Sequence, residues 1–284
     1  MSRWALYREA LSQQLCLQPQ PVPRDALRFC AAVAALALLL DFGLLVAGGY
    51  HSAFTALNAW ARPIPDRALQ QLTYLGDTLY ALTLMLLFAR RAPQLLWVAF
   101  LAAIVATLLS HGLKEALRLP RPTVVLDPDS YRLVGSRLRA PSFPSGHATD
   151  AFTLACVIGA LSRSWALRAA LLALAALVGL SRIWVGVHWP VDVLTGAAIG
   201  AISAAVGILL VRRWHFGLRL PGHLLLVVIC IGSAIALASL VRRFDGAEWT
   251  TRALVAAALA SAAWHYLWLP LRAAAGAHRR RAAR

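Results

Sequence analysis

The feature that most constrains this chain is a series of apolar runs of membrane-spanning length, separated by short segments rich in arginine. The first run, residues 31–47, holds a single ionisable side chain, Asp41. A run of about 18 or more apolar residues reads as a transmembrane helix. Lipid offers no partner for backbone N–H and C=O groups, so such a segment must satisfy them internally, as a helix does. Charged residues make up 14% of the 284 residues, against about a quarter in soluble domains. The mean hydropathy is +0.65. The expected fold class is therefore all-α, a polytopic helical membrane protein of about eight spans. The spans are expected near 29–48, 69–89, 94–113, 148–162, 165–183, 192–211, 222–241 and 251–269, the fourth and fifth being short and close together. Residues 1–28 read as an interfacial segment with Trp4, Leu6 and Leu11 among polar residues. Residues 29–211 form the expected membrane core, 222–269 an additional pair of spans, and 270–284 a basic tail. There is no repeat of fixed period and no low-complexity linker.

The net charge of +16 argues for lipid rather than nucleic acid, because the basic residues fall mainly between apolar runs. There they act as topology signals and contacts for anionic lipids. Placing Arg24, Arg28, Arg90, Arg91, Arg163, Arg168, Arg212 and Arg213 on the cytoplasmic side puts both termini there as well. The loop 114–147 and the turn 184–191 then share the outer side. The leader lacks the apolar core of a signal peptide, so the first span is expected to serve as an uncleaved signal. The four cysteines, Cys16, Cys30, Cys156 and Cys230, show no CxxC or metal spacing. Neither a disulfide framework nor a zinc site is expected.

Three stretches carry chemistry. In Ser181-Arg182-Ile183-Trp184-Val185-Gly186-Val187-His188-Trp189-Pro190-Val191-Asp192, a histidine and an aspartate lie four apart, on one face of a helix start. A carboxylate so placed accepts the Nδ1 hydrogen and leaves Nε2 free, oriented and basic. Arg182 adds a planar fork of donors suited to phosphate oxygens. Upstream, Lys114 precedes Arg121-Pro122 and is the one lysine among 28 lysines and arginines. A compact ammonium aimed at a phosphoryl oxygen gives that choice a reason. Then Pro144-Ser145-Gly146-His147 opens an apolar helix, where backbone N–H groups make a ready anion site. Taken singly, each residue has a structural explanation: an interfacial histidine beside Trp184 and Trp189, a helix cap, a snorkelling arginine.

Together, Lys114-x6-Arg121-Pro122, Pro144-Ser145-Gly146-His147 and Ser181-Arg182-x5-His188-x3-Asp192 resemble the three signature motifs of the type 2 phosphatidic acid phosphatase family. The resemblance covers a six-helix core and does not reach the last pair of spans, whose role as a lipid path or a dimer contact it leaves open. It implies metal-independent, cofactor-free hydrolysis of a phosphate ester or diphosphate through a phosphohistidine. His188 would be the nucleophile, Asp192 its orienting partner, and His147 the acid and then the base. Lys114, Arg121, Ser145, Gly146 and Arg182 would hold the phosphoryl oxygens. In a chain that is nearly all intramembrane, the natural substrate is a lipid phosphate. The resemblance and the compact, arginine-rich, bacterial character of the chain favour undecaprenyl diphosphate and an inner-membrane location. Phosphatidylglycerol phosphate, phosphatidic acid and lipid A phosphate stay open, as does transfer of the phosphate to an acceptor lipid such as lipid A. A non-catalytic lipid-phosphate transporter is expected to lack one of the two histidines, and both are present. Asp41, Asp77 and Asp150 are costly in lipid and expected to face a cavity or partner. Asp127 and Asp129 read as turn residues. Arg118, Arg132, Arg137 and Arg139 make the outer loop basic, which suits a second phosphate or a solvated loop.

Overall fold

The computed structural model describes residues 3–15, 17–240 and 248–282; Cys16 and the last residue of the expected seventh span lie outside them. Among the described residues there is helix and no strand. Six helical stretches are long and apolar enough to cross a membrane: Ala26–Gly48, Pro93–Val125, Trp165–Trp184, Pro190–Val211, Leu220–Ser239 and Glu248–Arg279. Two expected spans are shorter apolar helices, Thr78–Phe88 and Gly146–Leu161.

The chain begins with α1 (Arg3–Gln14) and α2 (Ala26–Gly48), then short α3 (Phe54–Trp60). The segment expected as one span over 69–89 is two helices, α4 (Asp66–Tyr74) and α5 (Thr78–Phe88). The break falls at Gly76-Asp77, where the Asp77 carboxylate accepts from Leu79 N at 2.8 Å and caps α5. Next come α6 (Pro93–Leu117), the single turn α7 (Pro122–Val125), α8 (Gly146–Leu161), α9 (Trp165–Trp184) and α10 (Pro190–Val211). α6 runs toward one end of the bundle, α8 leaves it, α9 returns and α10 leaves again. That alternation brings the C-terminal ends of α6 and α9 beside the N-terminal ends of α8 and α10.

α10 is the central helix, packed against α2, α6 and α8. Helices in lipid gain little from apolar burial and associate through close packing, which small residues permit. α10 accordingly buries Gly196, Ala197, Gly200, Ala201, Ala204 and Gly207. At Gly200 a Cβ would sit 2.7 Å from both Thr149 O and Thr153 N of α8. Alanine there would force the two helices apart, at a cost of about 1–3 kcal/mol. α2 answers with Cys30, Ala34, Ala37 and Asp41 on its buried face, and turns Leu36, Leu39 and Phe42 outward.

Beyond the core, α11 (Leu220–Ser239) and α12 (Glu248–Ala262) pack on α5. The stretch from 270 onward, expected as a basic tail, continues as helix α13 (Leu269–Ala282) along α1. Pro270 has no N–H for the Tyr266 carbonyl four residues earlier. The helix widens to a π turn over Ala263–Trp268, and the Tyr7 hydroxyl donates to the Tyr266 carbonyl at 2.5 Å. One missing N–H thus ties the N-terminal helix to the C-terminal one.

Candidate active site

The turn between α9 and α10 is shaped by Gly186, whose φ of +81° falls in the left-handed region. A Cβ there would meet Arg132 O at 2.4 Å, so the outer loop also requires glycine. His188 N donates to Arg182 O at 3.3 Å, and Pro190 then starts α10. Asp192, on the first turn, accepts from Trp189 N at 2.9 Å and so caps α10. The same Oδ2 lies 3.0 Å from His188 Nδ1. The carboxylate is fully buried and accepts two further bonds, from the Tyr50 hydroxyl at Oδ1 and from the Ser142 hydroxyl at Oδ2, the latter at 2.5 Å. Asp192 is therefore held by three hydrogen bonds besides its contact with the imidazole.

With Nδ1 facing a carboxylate, the proton belongs there and Nε2 carries the lone pair. Arg121 Nη1 lies 3.0 Å from that Nε2. Burial, followed by the charges of Arg121, Arg182 and Lys114, holds the His188 pKa well below the ordinary imidazole value. The ring is neutral at neutral pH. Burial and the Asp192 charge push the Tyr50 hydroxyl up, so it stays a donor.

The cations converge from three elements. Arg121 donates to Ala140 O and Val187 O at 2.8 Å each and to Pro141 O at 3.2 Å. Lys114 Nζ donates to Pro144 O at 3.1 Å and Pro141 O at 3.3 Å. Arg182 Nη1 donates to the Thr73 hydroxyl at 2.5 Å, while its buried Nε has no partner. His147 stands on the first turn of α8, and it lines with Arg182 a cavity of about 230 Å³. Gln70, Thr73, Tyr74 and Asp77 close the other wall. Ser145, expected among the phosphate ligands, is fully buried and accepts from Ala148 N at 3.5 Å as the cap of α8. Its own N–H donates to Asp192 O at 2.9 Å, binding the second motif to the third. Gly146 opens α8 beside it, with open space at its Cβ position.

Other residues singled out in the sequence lie elsewhere. The Thr195 hydroxyl donates to Asp41 at 2.9 Å, and the Thr78 hydroxyl donates to Asp150, fastening α5 to α8. Asp127 closes a turn by accepting from Asp129 N at 3.1 Å. Arg132 is committed to Ile64 O, Ala61 O and Asp66, which anchors the outer loop, and Arg118 pairs with Glu115 on the surface. Four residues that the motifs did not indicate support the site: Tyr50, Ser142, Thr73 and Asn58. The Asn58 side-chain amide donates to Arg132 O and Ile183 O at 3.0 Å each and to Trp184 O at 3.2 Å, and accepts from Arg132 N at 2.8 Å. Only Ser142 lay within a motif-bearing stretch; nothing local marks the others.

An orienting carboxylate, a neutral histidine and three cations, at one end of a membrane-spanning helical bundle, define an integral membrane phosphatase. The chain belongs to the PAP2 superfamily, whose pattern matches residues 94–216, from α6 through α10. It is 31% identical to a lipid A 1-phosphatase of Rhizobium johnstonii over 172 residues, covering 51% of this chain and 68% of that protein. It is 32% identical to an undecaprenyl-diphosphatase of Sulfolobus acidocaldarius over 131 residues, 45% of this chain and 59% of that protein. Among solved structures it is similar to Aquifex aeolicus LpxE, with 32% identity, a TM-score of 0.49, and coverage of 55% of this chain and 92% of that one. Helices α11 to α13 lie beyond the matched region.

Proposed function

We propose that this phosphatase hydrolyses a membrane-lipid phosphate through a phosphohistidine on His188. The observation that carries the reading is the His188–Asp192 pair at 3.0 Å, which leaves Nε2 as an acceptor among Arg121, Lys114 and Arg182. In the first step the Nε2 lone pair forms a bond to phosphorus and the bond from phosphorus to the lipid oxygen breaks. His147 gives its proton to that oxygen, and Asp192 stabilises the cationic imidazole. In the second step water attacks phosphorus, neutral His147 takes its proton, and the N–P bond breaks to release phosphate and neutral His188. Arg121, Lys114 and Arg182 stabilise the charge on the equatorial oxygens in both steps. Arg121 Nη1 lies against the nucleophilic nitrogen and must turn to the phosphoryl group when substrate arrives.

The substrate favoured by the sequence is undecaprenyl diphosphate, and similarity to an undecaprenyl-diphosphatase supports it. A second reading, lipid A 1-phosphate, is supported by 31% identity extending over 68% of a lipid A 1-phosphatase. The arginine distribution supports an inner-membrane orientation with cytoplasmic termini and the site on the outer face. The test is phosphate release by purified protein from both lipids, phosphatidic acid and phosphatidylglycerol phosphate, with EDTA throughout. Brief reaction with a radiolabelled phosphate and acid-free denaturation should trap label on the wild type and none on His188→Ala. Wild-type turnover with label on another residue, or full turnover by the variant, overturns the assignment. Label that passes to an added acceptor lipid rather than to water would make the enzyme a phosphotransferase.

A further inference from the structure

The active-site cavity carries a carboxylate in its wall, and close packing sets it there. At Gly76 a Cβ would lie 2.9 Å from the His147 Cβ and 2.7 Å from Val178, so the backbone entering α5 is pressed against α8 and α9. The next residue, Asp77, is half-buried and lines the cavity together with His147 and Arg182. Its Oδ1 caps α5 through Leu79 N at 2.8 Å. Asparagine caps a helix about as well as aspartate does, so the cap alone does not call for a charge. The Asp77 carboxylate acts on Arg182 through space, beyond ion-pair distance.

Positive charge is divided unevenly about this cavity. In the proposed mechanism Lys114, Arg121 and Arg182 hold the phosphoryl group that is transferred, and of these Arg182 alone also lines the cavity. Among the described residues the remaining polar side chains of the lining, Gln70, Thr73, Tyr74 and Ser136, are uncharged at neutral pH. Arg137 and Arg139 of the outer loop are exposed and outside the lining, and Arg132 is held by Asp66. His147 protonates the leaving oxygen, so the part of the substrate beyond that oxygen enters the cavity beside Asp77. In a diphosphate that part is a second phosphate. It would meet a carboxylate while Arg182 is already engaged, and like charges that share a site disfavour one another. A monoester presents an uncharged alcohol there instead, which the neutral wall accommodates at no electrostatic cost.

We propose that Asp77 is a specificity-determining residue that selects phosphate monoesters of an uncharged alcohol over diphosphates. The choice of substrates rests on the phosphatase reading above, and the carboxylate ranks its two lipids: a monoester such as lipid A 1-phosphate comes before undecaprenyl diphosphate. Asp77 acts on the charge beyond the leaving oxygen and takes no part in the bond changes at phosphorus.

Farnesyl phosphate and farnesyl diphosphate carry one alcohol with one or two phosphates, and are compared as substrates of the full chain in phosphatidylcholine nanodiscs. The wild type should favour the monophosphate in kcat/KM. Asp77→Asn keeps the cap and removes the charge. It should raise the ratio of diphosphate to monophosphate kcat/KM by about tenfold, mainly through KM, with the thermal midpoint unchanged. Gln70→Arg adds a cation to the same wall and should move the ratio the same way without touching the cap. A purely structural Asp77 would change both rates together and leave the ratio fixed. A ratio unmoved by Asp77→Asn, or a wild type that favours the diphosphate, overturns the proposal. Cleavage of neither ester by the wild type would fail the phosphatase reading instead. The ratio of the two dissociation constants, wild type against Asp77→Asn, then decides the role of Asp77 on the same terms.

Discussion

Two buried arginines stand at opposite ends of α9 and live in opposite electrostatic circumstances. Arg168, 1% exposed, is fully committed: Nε donates to Gly159 O at 3.0 Å, Nη2 to Ser162 O at 2.8 Å, and Nη1 pairs with Asp25. Its guanidinium also lies over the rings of Phe29 and Trp165, at 4.9 and 4.6 Å. Arg182, 7% exposed, has one bond to a neutral hydroxyl and a buried Nε with no partner. Among the described residues no carboxylate forms an ion pair with it. Burying a charge costs several kcal/mol unless an opposite charge compensates. The fold supplies that compensation at Arg168. At Arg182 only Asp77, on the same cavity but beyond ion-pair distance, opposes the charge, which leaves room for an entering anion such as the proposed phosphate. Paired, the residue holds helices together; left short of a partner beside a cavity, it suits the proposed role of holding substrate.

The largest expected effect separates the two. Arg182→Lys keeps the charge and loses the fork, and should lower kcat/KM by about 10²–10³ with little change in thermal stability. Arg168→Lys should leave turnover per folded molecule within a few-fold. Comparable rate losses in the two variants would break the contrast. The next effect belongs to stability. Arg168→Ala strips two carbonyls and a carboxylate of their partner, and should destabilise by about 2–4 kcal/mol, read from unfolding in detergent. Arg182→Ala should cost less than this, because its charge is opposed only by Asp77, beyond ion-pair distance.

How much of this contrast a reader of the sequence sees depends on the distance between partners. His188 and Asp192 share one turn, and Lys114, Arg121 and His147 lie at the ends of apolar runs, where their spacing is readable. Arg168, by contrast, read as a topology charge between two spans, because its partner Asp25 lies 143 residues away. Tyr50 is 142 residues from Asp192, and Thr73 is 109 from Arg182. No periodicity links such pairs; only the packing of α2 and α9 on α10, and of α4 on α9, brings them together. The break of the second span was half legible. Asp77 stood out as costly in lipid, but its use as the cap of a new helix depends on Gly76 meeting His147 and Val178. The length of α13 escaped because the arginines of the tail outweighed its alanines in a reading by charge, although alanine is the strongest helix former.

Tyr50→Phe sharpens the comparison at an intermediate scale. It removes one of the bonds that hold Asp192 and touches no cation, so Tyr50 acts as a positioning residue. The expected loss in kcat is about 3–30-fold with KM nearly unchanged, in line with a hydrogen bond to a charged group. Loss of KM alone would move Tyr50 to substrate binding.

The smallest effects are in pH, and they too differ between the ends. His188 has a folded pKa well below its ordinary value because of burial and the nearby cations. A group depressed on folding adds stability above its unfolded pKa and forfeits it as pH falls toward the folded one. For His188 that loss begins below the ordinary imidazole value of 6.5. On the proposed mechanism, in which the neutral ring attacks, the acid limb of kcat/KM should likewise lie below that value. Asp25 is also depressed, by its bond to Arg168, so its contribution is intact above the ordinary carboxylate value of 3.8 and lost as pH falls below it. Thermal unfolding followed from pH 8 to pH 3 should therefore fall in two windows. Asp25→Asn should remove the lower window and leave the upper one, along with the activity profile, in place. If the variant shifts the acid limb of activity instead, the two ends of α9 are coupled and the division between a structural and a substrate-facing arginine does not hold.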